Sequence, residues 1–253
     1  MRREAAIALA VSLVAAGCAS ATPARVDPDA LASGAAVKTL DAGKLDSLPT
    51  GGVFVRVIEF DQPPLYTIKS RQHVAGFVFV ERGVHRLTIE GSAPVDILAG
   101  SARFHPSISH THFNPGPGSS VWYFIAVWPS SSRGQPAVDP IAKPDFQSDN
   151  IPPGKLPPGV YSEVLRQVTI APSGRSEAHR FGGMCLFFVL DGALNIETVH
   201  GAVKLNANQG AVYGSGTALQ ELNKGSDVVT YLEMLTTAPG SDFEVPLSSA
   251  PAG

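Results

Sequence analysis

The histidines carry the chemistry of this chain. Three of the seven, His105, His110 and His112, fall within eight residues, and His73 precedes them. His110 and His112 are two residues apart, so on a strand both side chains face the same side. Two imidazoles on one face form one edge of a site for a divalent transition metal such as Fe, Mn, Ni or Zn. His73 can approach from a neighbouring strand, whereas His105 reaches that face only if Pro106 bends the chain. The candidate metal ligands are therefore His73, His110 and His112, with His105 beside them. Glu81 lies beyond a turn, and Glu59 and Asp61 sit on the entry strand, so no carboxylate completes the set. Tyr66, Lys69, Arg71, Arg103 and His105 form a second group, suited to holding a small polar or anionic molecule through charge-assisted hydrogen bonds. A plainer alternative stands beside both readings. The histidines would be polar residues of a loop-rich rim bonded to Ser107, Ser109, Thr111 and Asn114, and the cations would be solvated. His85 and His200 are assigned to the surface.

These residues need strands to position them. Phe77 to Val80 read as a buried strand, Glu81-Arg82-Gly83 as a turn, and His85, Leu87 and Ile89 as alternate positions of a half-buried strand. The pattern recurs. Phe54 to Phe60 matches Val164 to Ile170, Gly83 matches Gly192, Gly100 matches Gly210, and Val121 to Val127 matches Val229 to Leu235, at offsets of 108 to 110 residues. Each half offers short strands between Gly turns and no helix long enough for a βαβ unit, which predicts an all-β fold of two small closed barrels. Residues 51–129 and 160–237 are the barrels. Residues 130–159, with Pro152-Pro153-Gly154 and Pro157-Pro158-Gly159, read as a surface linker without regular structure, and 238–253 as a frayed tail. Trp122, Tyr123 and Trp128 are expected in the core or between barrels.

With 25 Gly, 21 Pro and only 16% charged residues at a net charge of -3, the composition suits a turn-rich β protein. No basic patch argues for nucleic acid. Arg2 and Arg3 precede an apolar run, Ala5 to Ala16, too short to span a bilayer but suited to a signal segment. Its end, Val14-Ala15-Ala16-Gly17-Cys18, resembles the lipobox of bacterial lipoproteins. Residues 1–18 are thus expected to be a lipoprotein signal, Cys18 the lipidated residue, and 19–50 a tether, or in part an edge strand packed on the domain, holding an exported domain at the periplasmic face of the outer membrane. An ordinary cleaved signal with an incidental cysteine is the alternative. Cys185, inside an apolar strand, then has no disulfide partner and reads as a small core residue.

The two halves together resemble the cupin superfamily, in which a double-stranded β-helix, or jelly roll, carries the motifs G-x5-H-x-H-x4-E-x6-G and G-x5-P-x-G-x2-H-x3-N. Gly100, Pro106, His110 and Asn114 follow the second motif, one residue short before the histidine and with Ile108 in place of the middle Gly. The first motif keeps Gly83, but Lys69 and Arg71 stand where its histidines belong and Gly76 where its Glu belongs. In the second half Pro172, Gly174 and His179 resemble the first motif's opening, Phe181 replaces its second histidine, Cys185 or Leu186 its Glu, and the second motif's histidine falls near Gln220. The resemblance implies a bicupin whose family site, three imidazoles and a carboxylate around a metal, survives only in part in the first barrel and not in the second. Two functions follow: a lipid-anchored module binding a small polar or anionic molecule in the first barrel, or a metal-dependent enzyme of the dioxygenase, decarboxylase or isomerase kind. No Ser-His-Asp order, phosphate loop or paired-Cys zinc spacing supports another chemistry.

Overall fold

The computed structural model describes residues 32–247, apart from residues 72, 137, 138, 153, 154 and 156 and the side chains of residues 70 and 71. The signal segment and Cys18 lie outside the described residues. Strands dominate throughout, as the Gly-punctuated apolar runs predict.

The first barrel is built from two sheets. β2 (Val53–Gln62), β9 (Ser120–Pro129), β4 (Gly76–Arg82) and β7 (Ser101–His105) form one, extended at its edge by β10 (Ala142–Gln147) on β2. β3 (Thr67–Arg71), β8 (His110–Phe113), β5 (Val84–Ile89) and β6 (Val95–Leu98) form the other, in that order. In the second barrel β11 (Tyr161–Arg175), β12 (His179–Phe181), β13 (Met184–Asp191), β14 (Ala193–Thr198), β15 (Gly201–Asn206), β16 (Gly210–Tyr213), β17 (Ala218–Leu222) and β18 (Val229–Thr237) join one continuous sheet. The fold is all-β, two double-stranded β-helix barrels in tandem.

The repeat is visible at the level of single hydrogen bonds. The Asn114 amide donates to the carbonyls of Gln62 (2.9 Å) and Gly118 (2.8 Å), and its oxygen accepts from Gly116 N–H (2.9 Å). Asn223 does the same with Ile170 (2.8 Å), Asp227 (2.7 Å) and Gly225 (2.9 Å). Ile170 is thus the counterpart of Gln62, not of Phe60. The sequence match of β2 with β11 is two residues out, a shift that leaves every side chain on its face because the strand period is two. Gly83 and Gly192 repeat as well, at φ 83° and 80°, and a Cβ on either would approach a carbonyl oxygen, of Ser119 at 2.7 Å or Val228 at 2.9 Å.

Alternation sorts the apolar side chains into three cores. Val78, Val80, Trp122 and Phe124 fill the first barrel, and Cys185, Phe187, Val189 and Tyr231 the second. Their neighbours in sequence point the other way: Phe77, Phe79, Tyr123 and Ile125 pack with Leu186, Phe188, Leu232 and Met234 in a core shared between the barrels. Each side chain so buried contributes roughly 1.5–3 kcal/mol.

Three stretches expected to lack structure have it. Residues Ser33–Leu45, within the expected tether, form β1 antiparallel to β11. Between Tyr161 and Ile170 the other edge of β11 would otherwise be bare, and covering an open edge satisfies its N–H and C=O groups. β1 also reaches the first barrel, where the Asp41 carboxylate accepts from Phe104 N–H at 2.7 Å. β10 lies in the expected linker and contains Pro144, which an edge strand tolerates. Glu244–Pro246, in the expected tail, forms β19 against β12.

Candidate metal centre

Four imidazoles meet inside the first barrel. His73 follows β3, His105 ends β7, and His110 and His112 stand on the inward face of β8. One ring nitrogen from each lies within 4.8 Å of the others. His105, His110 and His112 are buried and His73 half-buried.

The outer ring nitrogens are held. His73 Nδ1–H donates to the Val74 carbonyl at 2.9 Å, His105 Nδ1–H to Pro106 at 3.1 Å and His110 Nδ1–H to Ile108 at 2.8 Å. A carbonyl only accepts, so each Nδ1 carries the proton and each Nε2 presents a lone pair. The fourth ring is set by a longer chain. Gln62 Nε2 donates to the Tyr66 carbonyl (2.8 Å), which leaves Gln62 Oε1 to accept from Trp122 Nε1 (2.9 Å) and from His85 Nδ1 (3.1 Å). His85 Nε2 must then accept from His112 Nδ1–H, 2.9 Å away. That frees His112 Nε2 for the cluster. His85, expected at the surface, is fully buried: β5 pairs with β8 so that His85 faces inward with Leu87.

The inner nitrogens face one another. His73 Nε2 and His110 Nε2 face each other at 2.9 Å, and His105 Nε2 is buried without a hydrogen-bond partner. Two lone pairs at that distance repel unless a cation stands between or beside them. Protons are a poor choice. Burial, reinforced by His110, pushes His105 down to about 3; burial also lowers His110 and holds His112 well below its usual value. Neutral imidazoles with their outer N–H groups held are the arrangement that suits a divalent metal ion. His73, His105, His110 and His112 could hold one.

No carboxylate among the described residues joins them. The family position for Glu is Gly76, where a Cβ would lie 2.6 Å from Ile125 O and 2.7 Å from the Ala126 Cβ. Backbone proximity excludes any side chain there.

A cavity of about 420 Å³ opens beside His73 and His112, walled by Ile58, Phe60, Ile68 and Phe124. Arg56 and Trp128 line it too, with the guanidinium carbon 5.6 Å from the centre of the Trp128 ring. Arg56 is 2% exposed, and its Nε and Nη2 have no hydrogen-bond partner. Burial lowers its pKa, but a guanidinium stays charged at any ordinary pH. Arg56 was not singled out from the sequence, although a charge at an inward position of the apolar run Val53 to Ile58 was the signal to find it.

The expected ligand-binding set is dispersed. Tyr66 donates to Asp139, at 3.4 Å, on the cavity wall. Lys69 is exposed because Ile68 takes the inward face of β3, and Arg103 is exposed on β7, the last strand of its sheet. The Arg71 side chain lies outside the described residues. Only His105 joins the cluster. His200 is exposed between β14 and β15, as expected. In the second barrel Leu219 takes the place of His110, four residues before Asn223 as His110 is before Asn114.

Fold and histidine cluster together define a cupin-type barrel protein with a site able to hold a metal. The chain is similar to oxalate decarboxylase of Bacillus subtilis, described for its Mn(II) centres, with TM-score 0.56 and 12% identity over 87% of this chain and 81% of that one. It is similar to the formate complex of the Lactobacillus farciminis oxalate decarboxylase (TM-score 0.56, 12% identity, 83% of this chain and 88% of that). AerE from Microcystis aeruginosa is a further likeness, at TM-score 0.51 and 16% identity over 77% of this chain and 89% of that. Identities this low bear on the fold alone. No family model matches the sequence, and no curated protein matches it.

Proposed function

We propose that the first barrel is a metal-dependent site for a small anionic molecule, with His73, His105, His110 and His112 as ligands and Arg56 as the group that receives the anion. The observation that carries this reading is the convergence of four imidazole nitrogens, one of them buried without a hydrogen-bond partner, beside a buried guanidinium whose Nε and Nη2 are unpaired. The ion is Fe, Mn, Ni or Zn, all compatible with imidazole donors. When bound it supplies a Lewis acid. Arg56 orients and neutralises the anion, and the apolar wall from Ile58 to Phe124 keeps water from competing for it. The likeness to oxalate decarboxylases makes small carboxylates such as oxalate and formate the first probes. Catalysis of the decarboxylase, dioxygenase or isomerase kind is the second reading, favoured by Gly76, which leaves coordination to the incoming molecule where the family has Glu. Export through residues 1–18, anchoring at Cys18 and a place on the periplasmic face of the outer membrane complete the proposal.

Metal analysis of the purified chain tests it first. One ion per first barrel is expected, lost in the His110→Ala/His112→Ala variant. Calorimetry with oxalate and formate should then show binding that requires the metal and weakens at least about tenfold in Arg56→Met, a charge-assisted contact being worth about 1.5–3 kcal/mol. Metal-free protein as purified that also refuses added metal would end the reading.

A further inference from the structure

The second barrel has a cluster of its own, in which only His179 comes from the family motifs and both carboxylates lie outside them. His179 on β12, Glu221 on β17 and Glu233 on β18 are all buried, at 3%, 1% and 4% exposure, and each offers one donor atom within 4.8 Å of the others. Two of them stand where the first barrel has different chemistry. Glu221 pairs with Ile196 as His112 pairs with Leu87, so Glu221 is the counterpart of His112. Glu233 pairs with Arg166 as Phe124 pairs with Ile58, so an apolar pair has become an ionic one.

Each of the three has one side held, and on the other His179 and Glu221 are unmet while Glu233 has only a thiol. His179 Nδ1–H donates to the Glu177 carbonyl at 2.9 Å, with Glu244 Oε1 3.4 Å away, and His179 Nε2 has no hydrogen bond. Glu221 Oε2 accepts from Ser176 Oγ, whereas Glu221 Oε1 is buried and unmet, 3.5 Å from His179 Nε2. Glu233 Oε2 accepts from Arg166 at 3.3 Å, and Glu233 Oε1 has only the Cys185 thiol, 4.0 Å away. The remaining carboxylate, Glu244, accepts from the same guanidinium nitrogen at 2.8 Å. With His179 neutral and all three carboxylates ionised, a state that burial alone opposes by raising Glu221 and lifting Glu233 to about 8, one guanidinium would leave two negative charges unmatched. A divalent cation supplies that amount.

We propose that the second barrel binds a divalent cation through His179 Nε2, Glu221 Oε1 and Glu233 Oε1, in a site richer in oxygen than the first. Two carboxylates and one imidazole make a harder donor set than the four imidazoles of the first barrel and so move its relative preference toward Mn(II), although Zn(II) binds such N/O sites more tightly in absolute terms. Ser176, Arg166 and the Glu177 carbonyl orient the ligands. The competing arrangement is a metal-free ion pair, protonated His179 against Glu221.

Mn(II) itself is the probe. The full chain carrying His110→Ala and His112→Ala, which removes the first cluster, is titrated with MnCl2 while free Mn(II) is followed by EPR. One bound equivalent is expected, and adding Glu221→Gln should weaken it by about 10- to 100-fold. Absence of bound Mn(II) in the His variant, or unchanged binding in Glu221→Gln, overturns the site. The unmutated chain guards against misfolding of the variants. Titrated with MnCl2 alone it should take up one equivalent more than its Glu221→Gln variant and melt at a higher temperature; equal uptake by the two overturns the proposal.

Discussion

His85 Nε2 lies 2.9 Å from His112 Nδ1, and this contact decides which nitrogen of His112 looks into the first barrel. The proton order behind it runs without a gap from the Tyr66 carbonyl through Gln62 and His85. His85 does not line the cavity beside the cluster and yet sets the donor of a residue that does. Replacing it by Leu, which removes the acceptor for His112 Nδ1–H, should weaken metal binding about 10- to 100-fold. Competition with a chromogenic chelator measures this, and an unchanged affinity would show that His112 does not depend on His85.

The same burial predicts how metal binding responds to pH. His105, His110 and His112 have folded pKa values below the usual 6.5. Lowered values keep these rings neutral further into acid than a free imidazole, so protons compete less with the metal on them as pH falls below 6.5. Exposed imidazoles would each cost about tenfold per pH unit below that value. Affinity measured at pH 7, 6 and 5 should fall by less than about tenfold per unit in total, against a far steeper loss for a solvated cluster.

Gly76 should tolerate nothing larger. Gly76→Ala places a methyl 2.6 Å from Ile125 O, and the strain should cost about 1–3 kcal/mol or more in chemical denaturation. Gly118→Ala, where a Cβ would meet nothing within 4 Å, is the control and should change stability by no more than about 0.5 kcal/mol.

The core between the barrels is a second point of attack. Phe188 is fully buried, and its ring centre lies 5.6 Å from that of Tyr123 across the shared core. Phe188→Ala should cost about 3–5 kcal/mol. Thermal unfolding should show this loss even with the first site filled by metal, because the residue belongs to neither barrel interior.

Glu163 gives stability the opposite dependence on pH from the histidines. It accepts from Thr236 at 2.8 Å, its other oxygen is unmet, and burial raises it to about 7. A raised folded value means that the folded state binds the extra proton between pH 4.5 and 7, so stability falls as pH rises through that window. Glu163→Gln should therefore gain on the parent chain by about 1.4 kcal/mol per pH unit from 4.5 to 7 and hold the gain above. A difference independent of pH would mean that Glu163 is ionised throughout.

Much of this molecule is local and was legible as such. The alternation in β4 and β5, the turns at Gly83 and Gly192, the duplication and the inward pairing of His110 with His112 follow from strand period and backbone sterics, which act over a few residues. What only the tertiary structure decided is which side chains converge. His73, His105 and the β8 pair come from three elements in two sheets, and Arg56, His85, Glu221 and Glu233 acquire their surroundings from strands far off in the chain. The same holds for residues 33–45 and 142–147, whose composition suggested a tether and a linker until open strand edges gave them partners. Periodicity says that a side chain has an inside and an outside; strand pairing and register choose between them, and those are settled by burial and edge closure of the whole barrel.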